Sequence, residues 1–235
     1  MKKILISGGD SNLAKELIKK NKKYEIFNLN KKKLNILKIN SIISNIKKIK
    51  PKYFIHTAAL SSPMKQHDNN IKKSIDLNII GTANVVKACE EFNIKLIYIS
   101  TNFVYPGING HYKEDSALFP VNKYGWSKLG GESSVMLYDN SLILRVCMSK
   151  KPFPHKAAFL NYYTSFIYSD QCAEIIFKLL NFKGIINIGG KRQSSYDFAS
   201  KDNPSIKKEK LLKKNNHKIG SDTSINIKKL NKIIK

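Results

Sequence analysis

Short apolar runs return along this chain at intervals that leave room for one helix between neighbouring runs. They lie at residues 3–7 (KILIS), 24–29, 53–58 (YFIHTA), 95–100 (KLIYIS), 141–147 (SLILRVC) and 184–188. Runs of this length and apolar character are what a strand buried in a parallel sheet requires. Between them, residues 12–20 set Leu13, Leu17 and Ile18 at helical spacing. Residues 41–50 do the same with Ile42, Ile43, Ile46 and Ile49, and Pro51 supplies the stop. Further helices are expected over 71–92, 124–138 and 170–182. The alternation predicts an α/β fold, a doubly wound parallel sheet with right-handed crossovers. The 235 residues suffice for one such domain with a small appendage. In such sheets a ligand lies beyond the carboxyl ends of the strands, where the polar loops of this chain fall.

The first strand runs straight into Gly8-Gly9-Asp10-Ser11-Asn12-Leu13-Ala14. A glycine there permits a tight turn, and the helix start behind it offers free N–H groups to a pyrophosphate. Gly8, Asp10, Ser11, Asn12 and Leu13 are therefore candidate dinucleotide-binding residues. Ser11 and Ala14 occupy positions where further glycines are usual. Alanine is a mild change, whereas the Cβ of serine intrudes where backbone should approach phosphate, although its hydroxyl offers a donor. The segment also reads as an ordinary strand–turn–helix capped by Asp10 or Ser11. After the second strand an acid would normally grip the ribose hydroxyls of NAD. Here Asn28 and Asn30 precede Lys31, Lys32 and Lys33, so Asn30 is a candidate contact and NADP is expected slightly ahead of NAD.

The densest signal spans residues 97–132, IYISTNFVYPGINGHYKEDSALFPVNKYGWSKLGGE. Tyr124 and Lys128 stand four apart on an expected helix and so share a face. In a chain with 11 tyrosines and 42 lysine-plus-arginine residues such pairs arise by chance, and the surroundings give this one its weight. Those surroundings are a strand ending in Ser100-Thr101, the turn Val104-Tyr105-Pro106-Gly107, Pro120, and Ser127 through Glu132. The block resembles the extended short-chain dehydrogenase/reductase superfamily, with dTDP-4-dehydrorhamnose reductases and related sugar-nucleotide reductases the nearest likeness. The loop HTAALSSP (56–63), the helix NIIGTANVVKAC (78–89), Leu144-Arg145, and SDTSINIKKL (221–230) extend the resemblance through most of the chain.

The resemblance implies residues 1–145 as an NAD(P)-binding Rossmann-like domain. Residues 146–235 would form a reduced substrate-binding region, interleaved with a late helix and strand of the main sheet and ending in a lysine-rich segment. It also implies Thr101, Tyr124 and Lys128 as catalytic residues, with Tyr124, Lys128, Ala58 and Ala59 beside the cofactor. A ketone accepts hydride only if its oxygen is protonated or strongly hydrogen-bonded as charge develops. Tyr124 is the expected proton donor, Thr101 orients the substrate oxygen, and Lys128 lowers the phenol's pKa and holds the nicotinamide ribose. Strand alternation turns Ser100 the other way. Asn78 is either a positioning residue for Lys128 or a buried amide, and His56 is expected in the core or a loop. Dehydratases of similar type carry an Asp-Glu pair after the threonine. Asn102 and Phe103 stand there instead, so elimination chemistry is not expected.

The formal net charge of +25 would suit a polyanion partner. Only Arg145 and Arg192 are arginines, however, and the lysines come with many Ile and Asn residues, as AT-rich codon usage would produce. Dedicated nucleic-acid binding is therefore unlikely on this reading, whereas anionic nucleotide sugars remain suitable partners. Three scattered cysteines predict a reducing compartment without disulfides or a zinc site. No apolar run reaches the length of a membrane span, and MKKILISGG turns polar early, so a cytoplasmic location is expected. The tail over 201–235, with eleven lysines and three acids, reads as a solvated helix and loop. The expected activity is NAD(P)-dependent reduction of a keto-sugar nucleotide in surface polysaccharide synthesis. The alternatives are a sugar-nucleotide epimerase, or a non-catalytic binding subunit of the kind that regulates methionine adenosyltransferase. A homodimer through helices 71–92 and 124–138 is a further possibility of the fold.

Overall fold

Alternation within the apolar runs decides which side chains face which helices. In the first strand Ile4 and Ile6 point to one face and Leu5 to the other, and each face has its own core. The computed structural model describes residues 1–61, 63–212 and 219–234. Ser62 of the HTAALSSP loop, and residues 213–218 and 235 of the tail, lie outside the described residues.

Six parallel strands form the sheet, making the fold a Rossmann-like α/β fold. They are β1 (Lys3–Ser7), β2 (Glu25–Leu29), β3 (Tyr53–His56), β4 (Lys95–Thr101), β5 (Ser141–Val146) and a last strand, Gly184–Ile188. The spatial order is last strand, β5, β4, β3, β1, β2. β2 and β3 therefore flank β1 on opposite sides, and the loops leaving β1 and β3 part around a crevice at the carboxyl edge. One face is covered by α1 (Asn12–Lys20) and by a later helix, Ser169–Leu179, with Leu13, Leu17, Ile176 and Leu179 in its core. The other carries α2 (Ile39–Ile49), with Ile42 and Ile46 buried against Leu5 and Phe54.

The helix expected over 71–92 is broken into unlike parts. After the short α3 (Gln66–Asn69), α4 (Ile71–Ile75) passes through a π-helical turn, Asp76–Ile80, into α5 (Gly81–Glu91). Such turns insert a residue and re-aim side chains, and they concentrate at functional sites. Here the turn carries the buried Asn78. α6 (Lys123–Val135) lies across β4 and the π-turn. Its Gly131 is required by this approach, since a Cβ there would fall 2.4 Å from Tyr98 Oη and 2.6 Å from the Asn78 carbonyl oxygen.

Part of the lysine-rich tail departs from expectation. Asp222, Thr223, Ser224 and Ile225 are buried, and Leu230 packs into the main core. The Asp222 N–H donates to Gly107 O at 2.9 Å, Tyr112 N–H to Ser224 O at 3.1 Å, and Thr223 N–H to Tyr163 O at 2.9 Å. The composition permits this, since SDTSINI (221–227) contains no lysine and so carries no ammonium that would have to be desolvated, and the long-range bonds hold it there. Among the described residues no helix is long and apolar enough to cross a membrane, and Cys89, Cys147 and Cys172 are buried free thiols.

A buried ion pair ties α6 to β5. Arg145 and Glu132 are 2% and 1% exposed, and Arg145 Nη2 lies 2.9 Å from Glu132 Oε2. Arg145 also donates from Nη1 to Tyr105 Oη (2.9 Å) and to the Glu114 carbonyl (3.0 Å). Removing one partner strands the other charge in a low-dielectric interior. Glu132→Ala is expected to lower the free energy of unfolding by about 3–5 kcal/mol. The double variant Glu132→Leu/Arg145→Met should recover most of that loss. Urea unfolding of the three proteins checks it, and equal stabilities for the single and double variants would contradict it.

Candidate active site

The glycine turn sits at the crevice. Gly8 has φ +75°, and a Cβ on it would lie 2.6 Å from the N and Cα of Ala58, so only glycine allows the two loops this contact. Thr57 stitches them together by donating to Ser7 O at 2.7 Å. Ser11 is the N-cap of α1 and accepts from Ala14 N–H at 3.2 Å. Its hydroxyl also meets Thr57 Oγ1 at 3.0 Å. With the single Thr57 proton committed to Ser7, the Ser11 proton goes to Thr57. The Ser11 hydroxyl is thus engaged by the cap and by Thr57, and to donate to a phosphate it would have to turn from Thr57. What remains is the N–H of Asn12 and of Leu13, the first two of α1, which helix geometry leaves without an intrahelical acceptor. The Leu13 side chain itself is in the core, so its contribution to a ligand is through backbone. Asp10 is exposed at the turn, and Ala58 and Ala59 are half-buried on the facing loop.

At the end of β2, Asn30 Oδ1 accepts from Lys32 and Lys33 N–H (3.2 and 3.3 Å), so this oxygen closes its own turn. Asn28 gives its Nδ2 to Gly9 O at 2.9 Å and leaves a buried Oδ1 without a partner. An orphaned acceptor beside the glycine turn suits a ribose hydroxyl. This cradle fits a dinucleotide: a close backbone turn, two free N–H groups at a helix start, and an acceptor at the neighbouring strand.

Across the crevice, β4 ends in Thr101, which caps a 3₁₀ turn (Asn102–Val104) by accepting from Phe103 N–H at 3.2 Å. Tyr124, in the first turn of α6, packs among aromatic rings, with His67 5.2 Å away and Phe103 6.1 Å away between ring centroids. Burial pushes the Tyr124 phenol up to about 12, and hydrogen bonding from Thr101 opposes the rise. One turn on, Lys128 is 3% exposed, its ammonium 4.1 Å above the Tyr98 ring. Burial draws Lys128 down to about 7, and Glu132 opposes the fall. The expected lowering of the Tyr124 pKa by Lys128 is thus not met. The ammonium settles on the Tyr98 face, and Thr101 is the group that favours the phenolate.

Asn78 resolves toward a structural tie. It accepts from Leu60 N–H (2.7 Å), and its Nδ2 donates to Leu60 O (2.9 Å) and Ser127 Oγ (2.8 Å), joining the Ala58–Ala59 loop to α6. It holds the residue before Lys128 rather than Lys128 itself. His56 is buried between Ser7 Oγ (2.8 Å) and Thr82 Oγ1 (3.2 Å), and burial holds it neutral with a pKa of about 3. Asn102 donates to Thr223 O at 3.0 Å, so the place of an acid in dehydratases here anchors the tail. Two neighbours escaped the sequence reading. Tyr98 was findable, since alternation in KLIYIS puts it opposite Thr101 on the face α6 covers. His67 had no signal. It sits on a four-residue helix and binds Ser74 Oγ through Nδ1 at 2.7 Å, with its ring beside Tyr124.

A family model described as RmlD substrate binding domain matches residues 1–149. The dTDP-4-dehydrorhamnose reductase of Aggregatibacter actinomycetemcomitans is 31% identical over 150 residues, 62% of this chain and 51% of that protein. Methionine adenosyltransferase 2 subunit beta of Xenopus tropicalis is 35% identical over 115 residues, 48% of this chain and 34% of that protein. The chain thus spans about half the length of the first of these curated relatives and about a third of the second. Among solved structures, a dTDP-4-dehydrorhamnose reductase from Bacillus anthracis in complex with NADP superposes with a TM-score of 0.87 at 24% identity, covering 96% of this chain and 90% of that one. A hypothetical dTDP-4-dehydrorhamnose reductase from Sulfolobus tokodaii gives 0.83 at 26%, covering 100% and 95%. The first of these likenesses is one of fold alone.

The Lys128 shift carries a sign. Between the folded value near 7 and the ordinary 10.5, the unfolded chain binds the proton that the folded chain has released. Stability therefore rises with pH across that window. Lys128→Met should lose this share of the slope, so wild type gains on the variant between pH ~7 and ~10. Urea unfolding at both pH values checks it, and parallel pH profiles would refute the buried ammonium.

Proposed function

The chain belongs to the RmlD substrate binding domain family, and from that membership we propose that it is an NAD(P)-dependent oxidoreductase that reduces the ketone of a keto-sugar nucleotide. The observation that carries the reading is Tyr124 beside Thr101 at the carboxyl end of β4, the edge that also holds the Gly8 turn, with Lys128 one turn on along α6. Asn12 and Leu13 N–H would hold the pyrophosphate, Asn28 Oδ1 a ribose hydroxyl, and Lys128 the nicotinamide ribose. When bound, the cofactor supplies hydride. Tyr124, kept protonated by its raised pKa, donates its proton to the oxygen that gains charge, and Thr101 orients that oxygen. A ribose hydroxyl facing Lys128 would replace the Tyr98 ring as its partner. The half-buried rings of Phe103 and Tyr124 would exclude water from the reacting carbon.

The rest of the reading follows the same line. Lys31, Lys32 and Lys33 after β2 support NADP slightly ahead of NAD, residues 146–235 contribute a reduced substrate-binding region, and the reaction would draw on a cytoplasmic cofactor pool. Exposed Ile71, Ile75 and Ile80, with Met136 and Leu137 just past α6, support a homodimer through these helices. A surface-polysaccharide precursor is the proposed product class.

One specific set of observations favours a second reading, a non-catalytic dinucleotide-binding subunit. The Ser11 hydroxyl is engaged with Thr57, Asn102 donates to the tail, and the methionine adenosyltransferase 2 subunit beta relatives are as similar in sequence as the reductase. Calorimetric titration with NADPH and NADH, followed by turnover on keto-sugar nucleotides, separates the two. The reductase reading expects binding, with Tyr124→Phe keeping that binding while losing about 10²-fold or more of turnover. Binding without turnover in the wild type would establish the second reading, and failure to bind either cofactor at millimolar concentration would remove both.

A further inference from the structure

The opposite edge of the sheet holds a feature that neither the dinucleotide nor the substrate uses. There the loops entering β3, β4, β5 and the last strand border an open hollow of about 260 Å³, lined by Lys52, Lys95, Asn140, Asn181 and Lys183 together with apolar groups such as Phe92. Codon bias accounts for lysines in solvent, where an ammonium costs nothing, but Lys95 is only 7% exposed. Its Nζ donates to Ser141 O at 3.0 Å, and an ammonium has three protons to place. Among the described residues no carboxylate lies within ion-pair distance of Lys52, Lys95 or Lys183. Burial, and after it the like charge of Lys183, draws Lys95 down to about 8. Tyr53 Oη donates to Asn181 Oδ1 at 2.7 Å, which leaves the Asn181 amide protons as further donors at the rim. The wall is thus rich in donors and cations and has no counter-charge.

We propose that this cavity is a binding site for a small doubly charged oxyanion, a phosphate group, held by Lys95 and Lys183 with Lys52 and Asn181 at its rim. A dianion would take up the unplaced protons of Lys95 and remove the repulsion from Lys183. The hollow has room for a phosphate or a compact phosphate monoester. The proposal stands apart from the reductase reading, because its residues lie at the amino ends of the strands and the crevice at the carboxyl ends.

The test is thermal unfolding of the full chain against inorganic phosphate, and separately against glycerol phosphate, with chloride added to hold ionic strength constant. Both the wild type and a charge-matched surface control, Lys87→Gln on α5, should show a saturable rise in Tm. Lys95→Met should abolish the rise, and Lys183→Gln should weaken the apparent affinity about tenfold. Whichever anion saturates at lower concentration identifies the source as free phosphate or as a monoester. Should Lys95→Met fail to fold, the Lys183→Gln shift alone decides. The proposal is overturned if phosphate acts no differently from chloride, if all variants respond alike, or if only nucleic acid stabilises the chain.

Discussion

The close seating of α6 on the sheet is the contact on which the site depends. Gly131 presents no side chain where Tyr98 Oη and the Asn78 carbonyl press against the helix. With that gap closed, the Tyr98 hydroxyl reaches the Lys128 carbonyl at 3.2 Å while its ring underlies the Lys128 ammonium. The same seating brings Tyr124 to the end of β4, beside Thr101. A side chain at position 131 would push the helix outward, and all three groups would separate together.

Charge is handled in two ways in this molecule. Glu132 and Arg145 are buried as a neutral pair with further hydrogen bonds, the arrangement in which an interior can hold ions. Lys128 and Lys95 are buried without such a partner, and both respond by giving up their proton more readily. The proposed cofactor would give Lys128 a hydroxyl partner, and the proposed anion would give Lys95 a counter-charge. Each lies at one edge of the parallel sheet, where strand ends meet loops and the backbone is free to turn toward a ligand.

Family membership constrains the fold more tightly than the chemistry. The sheet order, the glycine turn and the Tyr–Lys helix fit a reductase, whereas the Ser11 hydroxyl caps α1 and meets Thr57, and Asn102 donates to the tail. The relatives divide in the same way, between a reductase and a subunit of another enzyme.

Local periodicity determined much by itself. The apolar runs and their helical partners place β1, α1 and the last strand at their observed bounds, because strand alternation and helix spacing are properties of neighbouring residues. Tyr124 and Lys128 were legible for the same reason, being one turn apart. What depends on distant partners was not. The ties of Asn78 to Leu60 and Ser127, the burial of Asp222, Thr223, Ser224 and Ile225 within a lysine-rich tail, and the meeting of the Ser11 and Thr57 hydroxyls each rest on contacts between residues far apart in the chain. So do the pKa values of Tyr124 and Lys128, since desolvation is set by what the rest of the chain packs around a group and not by the group's own sequence.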